Sequence, residues 1–492
     1  MATTPTGMAL LKKKLAAEDF IIELRSIGMP IKVPSDPDWA AYSSTYNLLF
    51  PVTPAVVVVP RTLRHIGRAV ACARKHGIKV QARCGGHSYA SHGNGGSNGA
   101  MVVDLRVFQT VYCVSNLSMV NAGIRLGNLA FELFDKGGCC VPQGTCAGVG
   151  IGGHFTHGGF GMFSRAWGLA MDRIVGMEVI IADGKHLRTD DNKYPDLFYA
   201  MRGAPESFGI IQSFYLHTEF VPHEVCHWTI SIPEVLKDVQ MAVRAFRHIQ
   251  DFAHNEDIVD RRLGMNLCFG PGNFAIHGSF LGPYDELKDK ILPGLESAFR
   301  GNVPITDIHK MTWLESAEFL NMDQNIRINH EEPYDEHSKF FAKSVIIPEP
   351  GFSDATLRSF FQYFLNEGAN PPVSYFLMMD LYGGPDSQIN TKDLDFSAFP
   401  HRDACWVAQI YGYVDNDQGF PSQGLDFVNG MAKAMTKGLR RYGAYSNYTD
   451  PSLSREQAHK LYYGDELTHI LKVLKRKWDP DNVFAGPHTI EP

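Results

Sequence analysis

The stretch RCGGHSYASHGNGG, residues 83–96, decides how this chain is read. It continues a segment, IKVQA, that reads as a buried strand, and it sets two histidines and a tyrosine among glycines. Glycine leaves the backbone unscreened, so its N–H groups can approach an anionic ligand such as a pyrophosphate. A second run, QGTCAGVGIGGHFTHGGFG at 143–161, repeats the device around Cys146, 59 residues after His87 (146 − 87). One run alone would read as turns that need positive φ. Two runs, each with a nucleophilic side chain, read as one ligand held from two sides by His87 and Cys146.

The surroundings support a cofactor site at a strand end. AVVVVP at 55–60 is β-branched and reads as a buried strand, TLRHIGRAVACARKHG at 62–77 as an amphipathic helix closed by Gly77, and IKVQARCGG as the next strand. AMVVDL and GIRLGNLAFELFDKGG continue the alternation, and residues 8–26 read as an opening helix. RIVGMEVIIADGKHLRT predicts a hairpin turning at Asp183-Gly184, and GIIQSFYLHTEF another strand. Neither glycine run is a GxGxxG opening a helix after the first strand, so a Rossmann dinucleotide site is not expected.

From about residue 222 the texture changes. Helical stretches such as VLKDVQMAVRAFRHIQDFAHN and SDATLRSFFQYFLNEG alternate with strand-like VSYFLMMDLYGG and CWVAQIYGYV. A chain of 492 residues exceeds one hydrophobic core, which also predicts more than one domain. Net charge −7 argues against a nucleic-acid partner. No run of eighteen apolar residues suggests a membrane helix, and no signal-peptide core opens the chain. The nine cysteines are scattered and odd in number, which does not suggest a disulfide framework. The expected setting is intracellular, with a mature secreted form as the alternative.

Four histidines, His87, His92, His154 and His157, raise the question of a metal. H-x-x-H without a glutamate, and without a C-x-x-C, is no zinc signature, so no metal is expected, and His92, His154 and His157 read as structural by default. For Cys146, a cradle of N–H dipoles is expected to favour the thiolate.

The stretches GGHSYASHG, QGTCAGVGIGGHFTHGGFG, GLAMDRIVGMEVIIADG, FPHRDACWVAQIYGYVDN and YSNYTDPSL…LYYGDEL, in this order over nearly the whole chain, resemble the berberine bridge enzyme-like flavoproteins of the vanillyl-alcohol oxidase, or PCMH, type. The pattern is nearest that of the fungal gluco- and chito-oligosaccharide oxidases. The resemblance implies an α+β protein. A PCMH-type FAD-binding domain of two α/β subdomains would span 1–221. A substrate-binding domain, an antiparallel sheet covered by helices, would span 222–437. The segment 438–492 would return to the FAD domain.

The same resemblance implies FAD bound by two covalent bonds, from His87 to the 8α-methyl carbon and from Cys146 to C6. Such double attachment raises the flavin's potential and leaves the other side of the site for a large substrate. Gly85, Gly86, Ser88, Gly144, Thr145, Gly148, Val149, Gly152, Gly153, His154, Gly159, Gly209, Ile210 and Asn447 match the cofactor-binding positions. Tyr448, the second tyrosine of YSNY, matches the catalytic base. A phenol of pKa about 10 is a poor base at neutral pH, and the matched Asp380 would support it once ionised. Gln409 and Tyr89 match the polar lining. The implied reaction oxidises a C–OH carbon of a small molecule, possessing molecular oxygen as electron acceptor; Val149, where bulkier leucine marks dehydrogenases, points to an oxidase.

Two departures bear on the substrate. Secreted relatives pair a cysteine of the opening helix with one in the next; here the first position matches Lys14, leaving Cys72 without that partner. Phe376 and Met378 stand where sugar oxidases carry tryptophan and glutamine, so an apolar substrate competes with a carbohydrate. The sequence therefore carries three readings: a carbohydrate oxidase, an intracellular tailoring oxidase of fungal secondary metabolism, and a non-catalytic flavin- or sugar-binding protein. Asn116, in NLS, is a glycosylation sequon that matters only for a secreted chain.

Overall fold

A computed structural model of the chain describes residues 18–297, 307–329 and 336–492. Residues 18–26 are helical; residues 8–17 of the expected opening helix, Lys14 among them, lie outside the described residues.

The fold is α+β. Its first sheet takes β1 (Ile31–Lys32), β2 (Val56–Val58), β3 (Val80–Arg83) and β4 (Met101–Asp104) in the order β1-β2-β4-β3. β2, β4 and β3 run parallel, joined in part by the helix Leu63–Lys75, whose first turn is capped by Thr62 accepting from His65 N–H. β3 ends at Arg83, so the first glycine run begins where the sheet stops.

A second group follows: β5 (Val111–Val114), β6 (Leu117–Asn121), a short β7 (Cys139–Cys140), β8 (Ile174–Ile180), β9 (His186–Thr189), β10 (Ile210–His217) and a short β11 (Glu219–Phe220). The sheet order is β5-β6-β10-β8-β9, with β7 and β11 paired separately. β8 and β9 form the hairpin expected at Asp183-Gly184, with Gly184 at φ +83°.

The third sheet has seven strands: β12 (Val225–Ser231), β13 (Leu263–Gly270), β14 (Asn273–Phe280), β15 (Asp307–Met311), β16 (Lys339–Pro348), β17 (Ser374–Leu381) and β18 (Ala404–Val414), all antiparallel in the order β15-β12-β14-β13-β17-β18-β16. Its apolar face, with Leu377, Met379, Trp406, Ala408 and Ile410, shares one core with residues of the helices Val239–Ala253, Asp354–Glu367 and Ser422–Thr436. The first of these helices begins at Val239 rather than near Val235. Asp238 breaks the pattern by capping it, its carboxylate accepting from Met241 N–H at 2.8 Å.

The chain then returns. Ala458, Tyr462, Leu467, Leu471, Val483 and Phe484 join the core built by β2, β4 and β10. Lys475, fully buried in the helix Gly464–Trp478, pins this return: its ammonium donates to Ser207 carbonyl, Phe484 carbonyl and the Asp479 carboxylate, each at 2.7 Å. Lys475→Met leaves the Asp479 charge buried without its cation. It is expected to destabilise the protein by about 3–5 kcal/mol, read as a lower urea midpoint. Across the middle, Arg165 is buried and donates to the carbonyls of Gly383, Asp260 and Pro385 at 2.8–2.9 Å, tying the second glycine run's neighbourhood to the seven-stranded sheet.

Candidate active site

The two glycine runs meet backbone to backbone. A Cβ on Gly85 would lie 2.3 Å from Gly150 N, and one on Gly150 would lie 2.2 Å from Gly85 N. Only glycine permits this approach, and it turns both runs onto one cavity of about 310 Å3. Gly85, Gly86, His87, Ser88 and Tyr89 line it from the first run, and Cys146, Val149, Gly152, Gly153 and His154 from the second; Gly209, Asn447 and Tyr448 complete it.

Some sequence-matched positions lie elsewhere. Gly144 and Thr145 line a small pocket on the other side of the Cys146 turn, beneath the helix Trp313–Leu320. Gly148 touches Gly85 through its carbonyl, and Gly159 is a tight turn at φ +77° under Ala170. Ile210 points into the core, while Ile211 lines the cavity, because side chains alternate along β10.

The His87 ring stacks on Tyr46 with centroids 4.4 Å apart. Burial, with a smaller push from Arg125, holds its pKa down to about 3, so the imidazole is neutral and carries an unprotonated ring nitrogen. Cys146 corrects the sequence expectation. Its side chain is exposed, yet desolvation by the surrounding protein is the largest influence and raises the thiol's pKa; the N–H groups of Gly148 and Val149 lower it less. His154, kept neutral with a pKa near 4 by burial, accepts from Gly144 N–H at 2.9 Å.

Tyr448 stands on the 3₁₀ turn Ser446–Tyr448. This turn is fastened to the second glycine run through Tyr445, whose Oη accepts from the N–H groups of Gly159 at 2.9 Å and Phe160 at 3.1 Å. Asn447 Nδ2 donates to that same Oη at 2.9 Å and to His154 carbonyl at 3.0 Å. On the other side, Tyr445 N–H donates to Ser344 Oγ at 2.8 Å, and Lys343 pairs with Asp450, which bind the turn to β16. The Tyr448 ring lies nearly parallel to Tyr89, centroids 5.7 Å apart. Burial raises its phenol well above the ordinary value, and the Asp380 charge adds to this.

The second half of the site is a sheet face. Phe376, Met378 and Asp380 alternate on β17; Met378 is opposite Gln409 on β18 and Cys268 on β13, and Asp380 is opposite Asn266. Gln409 Nε2 donates to Tyr89 Oη at 2.7 Å. Asn266 Nδ2 donates to Asp380 at 2.6 Å, yet burial outweighs that bond and pushes the Asp380 carboxyl up to about 7. An aromatic row connects the face to the cavity: Phe376 stacks on Tyr411 at 4.8 Å, Tyr411 on Phe340 at 4.4 Å, and Phe340 meets Tyr89 edge-on at 4.8 Å.

Sequence reasoning missed several lining residues. Tyr46 lies in a loop with no periodic signal, and its neighbour Asn47 donates to Tyr89 carbonyl at 2.8 Å. Glu206 also lines the cavity, paired with His157 at 3.0 Å; each partner shifts the other toward its charged form against burial. His488 engages Leu453 carbonyl through Nε2, and its buried Nδ1 has no hydrogen-bond partner among the described residues. These residues fit FAD: bare backbone for a pyrophosphate, aromatic walls for a ring system, polar atoms for hydroxyls, and two nucleophiles lining the same cavity.

A family profile described as "FAD binding domain" matches residues 54–190, and one described as "Berberine and berberine like" matches residues 444–491. A carbohydrate oxidase of Microdochium nivale is 32% identical over 95% of this chain and 94% of its own. The solved xylooligosaccharide oxidase from Myceliophthora thermophila C1, in complex with xylobiose, superposes with a TM-score of 0.91 at 29% identity, covering 97% of this chain and 99% of that one. The glucooligosaccharide oxidase from Acremonium strictum, whose FAD is described as 6-S-cysteinyl, 8α-N1-histidyl, superposes with a TM-score of 0.90 at 28% identity, covering 96% and 99%. The chain belongs to the berberine bridge enzyme-like family of FAD-linked oxidases.

Proposed function

We propose that this protein is an FAD-linked oxidase of a CH–OH group, with the flavin bonded to His87 and Cys146 and Tyr448 receiving the hydroxyl proton. The observation that carries the reading is the convergence of His87, Cys146 and Tyr448 on one cavity. FAD held by these residues would supply a hydride acceptor at N5 and a route for the electron pair to O2, yielding hydrogen peroxide. A neutral His87 suits the bond to the 8α carbon, since a protonated ring has no nucleophilic nitrogen. Gln409 holds Tyr89 by its hydroxyl, and Tyr89 in turn flanks the Tyr448 ring. This contact supports a fixed Tyr448 ring on the cavity wall, as a proton acceptor would need. Val149, a small side chain on the cavity wall, is consistent with access for oxygen.

The relatives named above make a carbohydrate hydroxyl the first substrate to try. A second reading, a less polar alcohol, has its own support. The polar groups of the sheet face engage one another, Asn266 with Asp380, Gln409 with Tyr89 and Thr229 with His277, while Phe376, Met378 and Cys268 lie between them. These bonds occupy part of the polar capacity a polyol would need on this face; a flat apolar skeleton needs none of it. Peroxide release from cello- or xylo-oligosaccharides against aromatic and aliphatic alcohols separates the two.

Purified protein precipitated with trichloroacetic acid should keep its yellow colour in the pellet. His87→Ala and Cys146→Ala should each keep it through the remaining bond, and the double variant should release all of it to the supernatant. Colour lost from the wild-type pellet would remove covalent attachment from the reading.

A further inference from the structure

The Cys146 turn is gripped on its inner side by the helix Leu126–Gly137. Leu126 N–H donates to Val149 carbonyl at 2.9 Å and Gly127 N–H to Ala147 carbonyl at 3.1 Å. Those bonds take up carbonyls and leave the N–H of Ala147 pointing outward. It is met there by Asn321, the residue that ends the helix Trp313–Leu320: Asn321 Oδ1 accepts from Ala147 N–H at 3.0 Å. Asn321 Nδ2 donates to Gln324 carbonyl at 3.3 Å, which orients the amide with its oxygen toward the turn.

The chain beyond Asn321 is shaped to keep that contact. Met322 and Asp323 both adopt left-handed backbone, φ +57° and +58°, reversing direction at once. Ile326 then packs with Ala130 and Ala147. Its carbonyl passes so close to the inner helix that a Cβ on Gly127 would lie 1.9 Å from it. Asn128 bonds Ile328 twice, donating to its carbonyl at 2.9 Å and accepting from its N–H at 2.7 Å. Residues 321–328 thus form a strap laid over the turn from the β15–β16 connection.

We propose that Asn321 is a positioning residue for Cys146. The peptide plane between Cys146 and Ala147 is fixed at both ends, by Asn321 at the N–H of Ala147 and by Val149 N–H on the Cys146 carbonyl at 3.2 Å. Fixing that plane fixes the direction of the Cys146 side chain into the cavity, where its sulfur must reach the flavin edge. This rests on the reading that Cys146 carries the flavin. The sulfur bond would replace the C6–H bond, releasing the thiol and C6 protons and an electron pair that O2, the proposed acceptor, would take up as peroxide; a thiol raised by desolvation enters that step through a small thiolate fraction, so its aim matters more. Misplacing a reacting group by about 1 Å costs on the order of 10²-fold in rate, and that is the slowing expected for the sulfur bond without Asn321.

The test compares wild type, Asn321→Ala and Asn321→Asp as purified holoproteins, denatured, treated with iodoacetamide and mapped by peptide mass. In wild type the Cys146 peptide should carry FAD and take no label. In Asn321→Ala most Cys146 should be labelled while the His87 peptide still carries FAD, and Asn321→Asp, which keeps an acceptor for Ala147 N–H, should restore the sulfur bond. Full flavin on Cys146 in Asn321→Ala overturns the proposal, and so does loss of both bonds together, which would mark Asn321 as general support. An unlinked Cys146 in wild type overturns instead the reading on which the proposal rests.

Discussion

Tyr448→Phe is expected to purify yellow, with its flavin attached, and to be reduced by substrate about 10²- to 10⁴-fold more slowly than wild type, the usual scale for a general base. Phenylalanine keeps the ring that lies parallel to Tyr89 and meets Tyr445 edge-on at 5.1 Å, so the packing of the turn survives. Only Oη is lost, and with it the proposed acceptor of the substrate's proton. Anaerobic stopped-flow, following flavin absorbance at saturating substrate, isolates this step from reoxidation. Because the interaction develops in the transition state, the fall should appear in kcat and in kcat/KM alike, with KM little changed. Reduction at the wild-type rate would take Tyr448 out of the mechanism.

What the sequence revealed of this site was mostly local. Two glycine runs around His87 and Cys146 announce a ligand because backbone exposure and nucleophile lie within one short stretch, and their contact at Gly85 and Gly150 follows from the lack of side chains. The Asp183-Gly184 hairpin and the end of the helix Leu63–Lys75 at Gly77, φ +67°, are likewise local chemistry. What escaped depends on residues far apart. Tyr46 reaches His87 from a loop, Asn266 reaches Asp380 across β13 and β17, and Asn321 reaches Ala147 from another sheet's connection. The thiol of Cys146 was misjudged because a motif shows nearby dipoles but not the mass of protein that desolvates the sulfur. Ile210 and Ile211 show the same limit at the scale of one residue: alternation predicts that they face opposite ways, and only the packing of β10 within the fold puts Ile211 on the cavity.

Asp380→Asn probes the other half of the proton path. Burial and the Asp380 charge both keep the Tyr448 phenol from ionising, so a standing phenolate is not available at neutral pH. On the proposed mechanism Tyr448 would take the substrate's proton only as its own leaves, and Asp380, held by Asn266 and with an affinity near 7, would be the acceptor. Wild-type flavin reduction should therefore rise with pH through about 7, as Asp380 ionises, and then level off. The asparagine keeps the oxygen that accepts from Asn266 but cannot take a proton. Reduction should fall by about 10²-fold or more and lose its step near pH 7. Stability should move the other way. An aspartate whose folded pKa lies near 7, above its unfolded value of about 4, favours folding in its protonated form, and that contribution is lost as pH rises from 4 to 7. The melting temperature of Asp380→Asn relative to wild type should therefore improve between pH 4 and pH 8, while its turnover relative to wild type worsens over the same range. A variant that lost rate and stability together at high pH would show Asp380 to be a support of the sheet and not an acceptor of the proton.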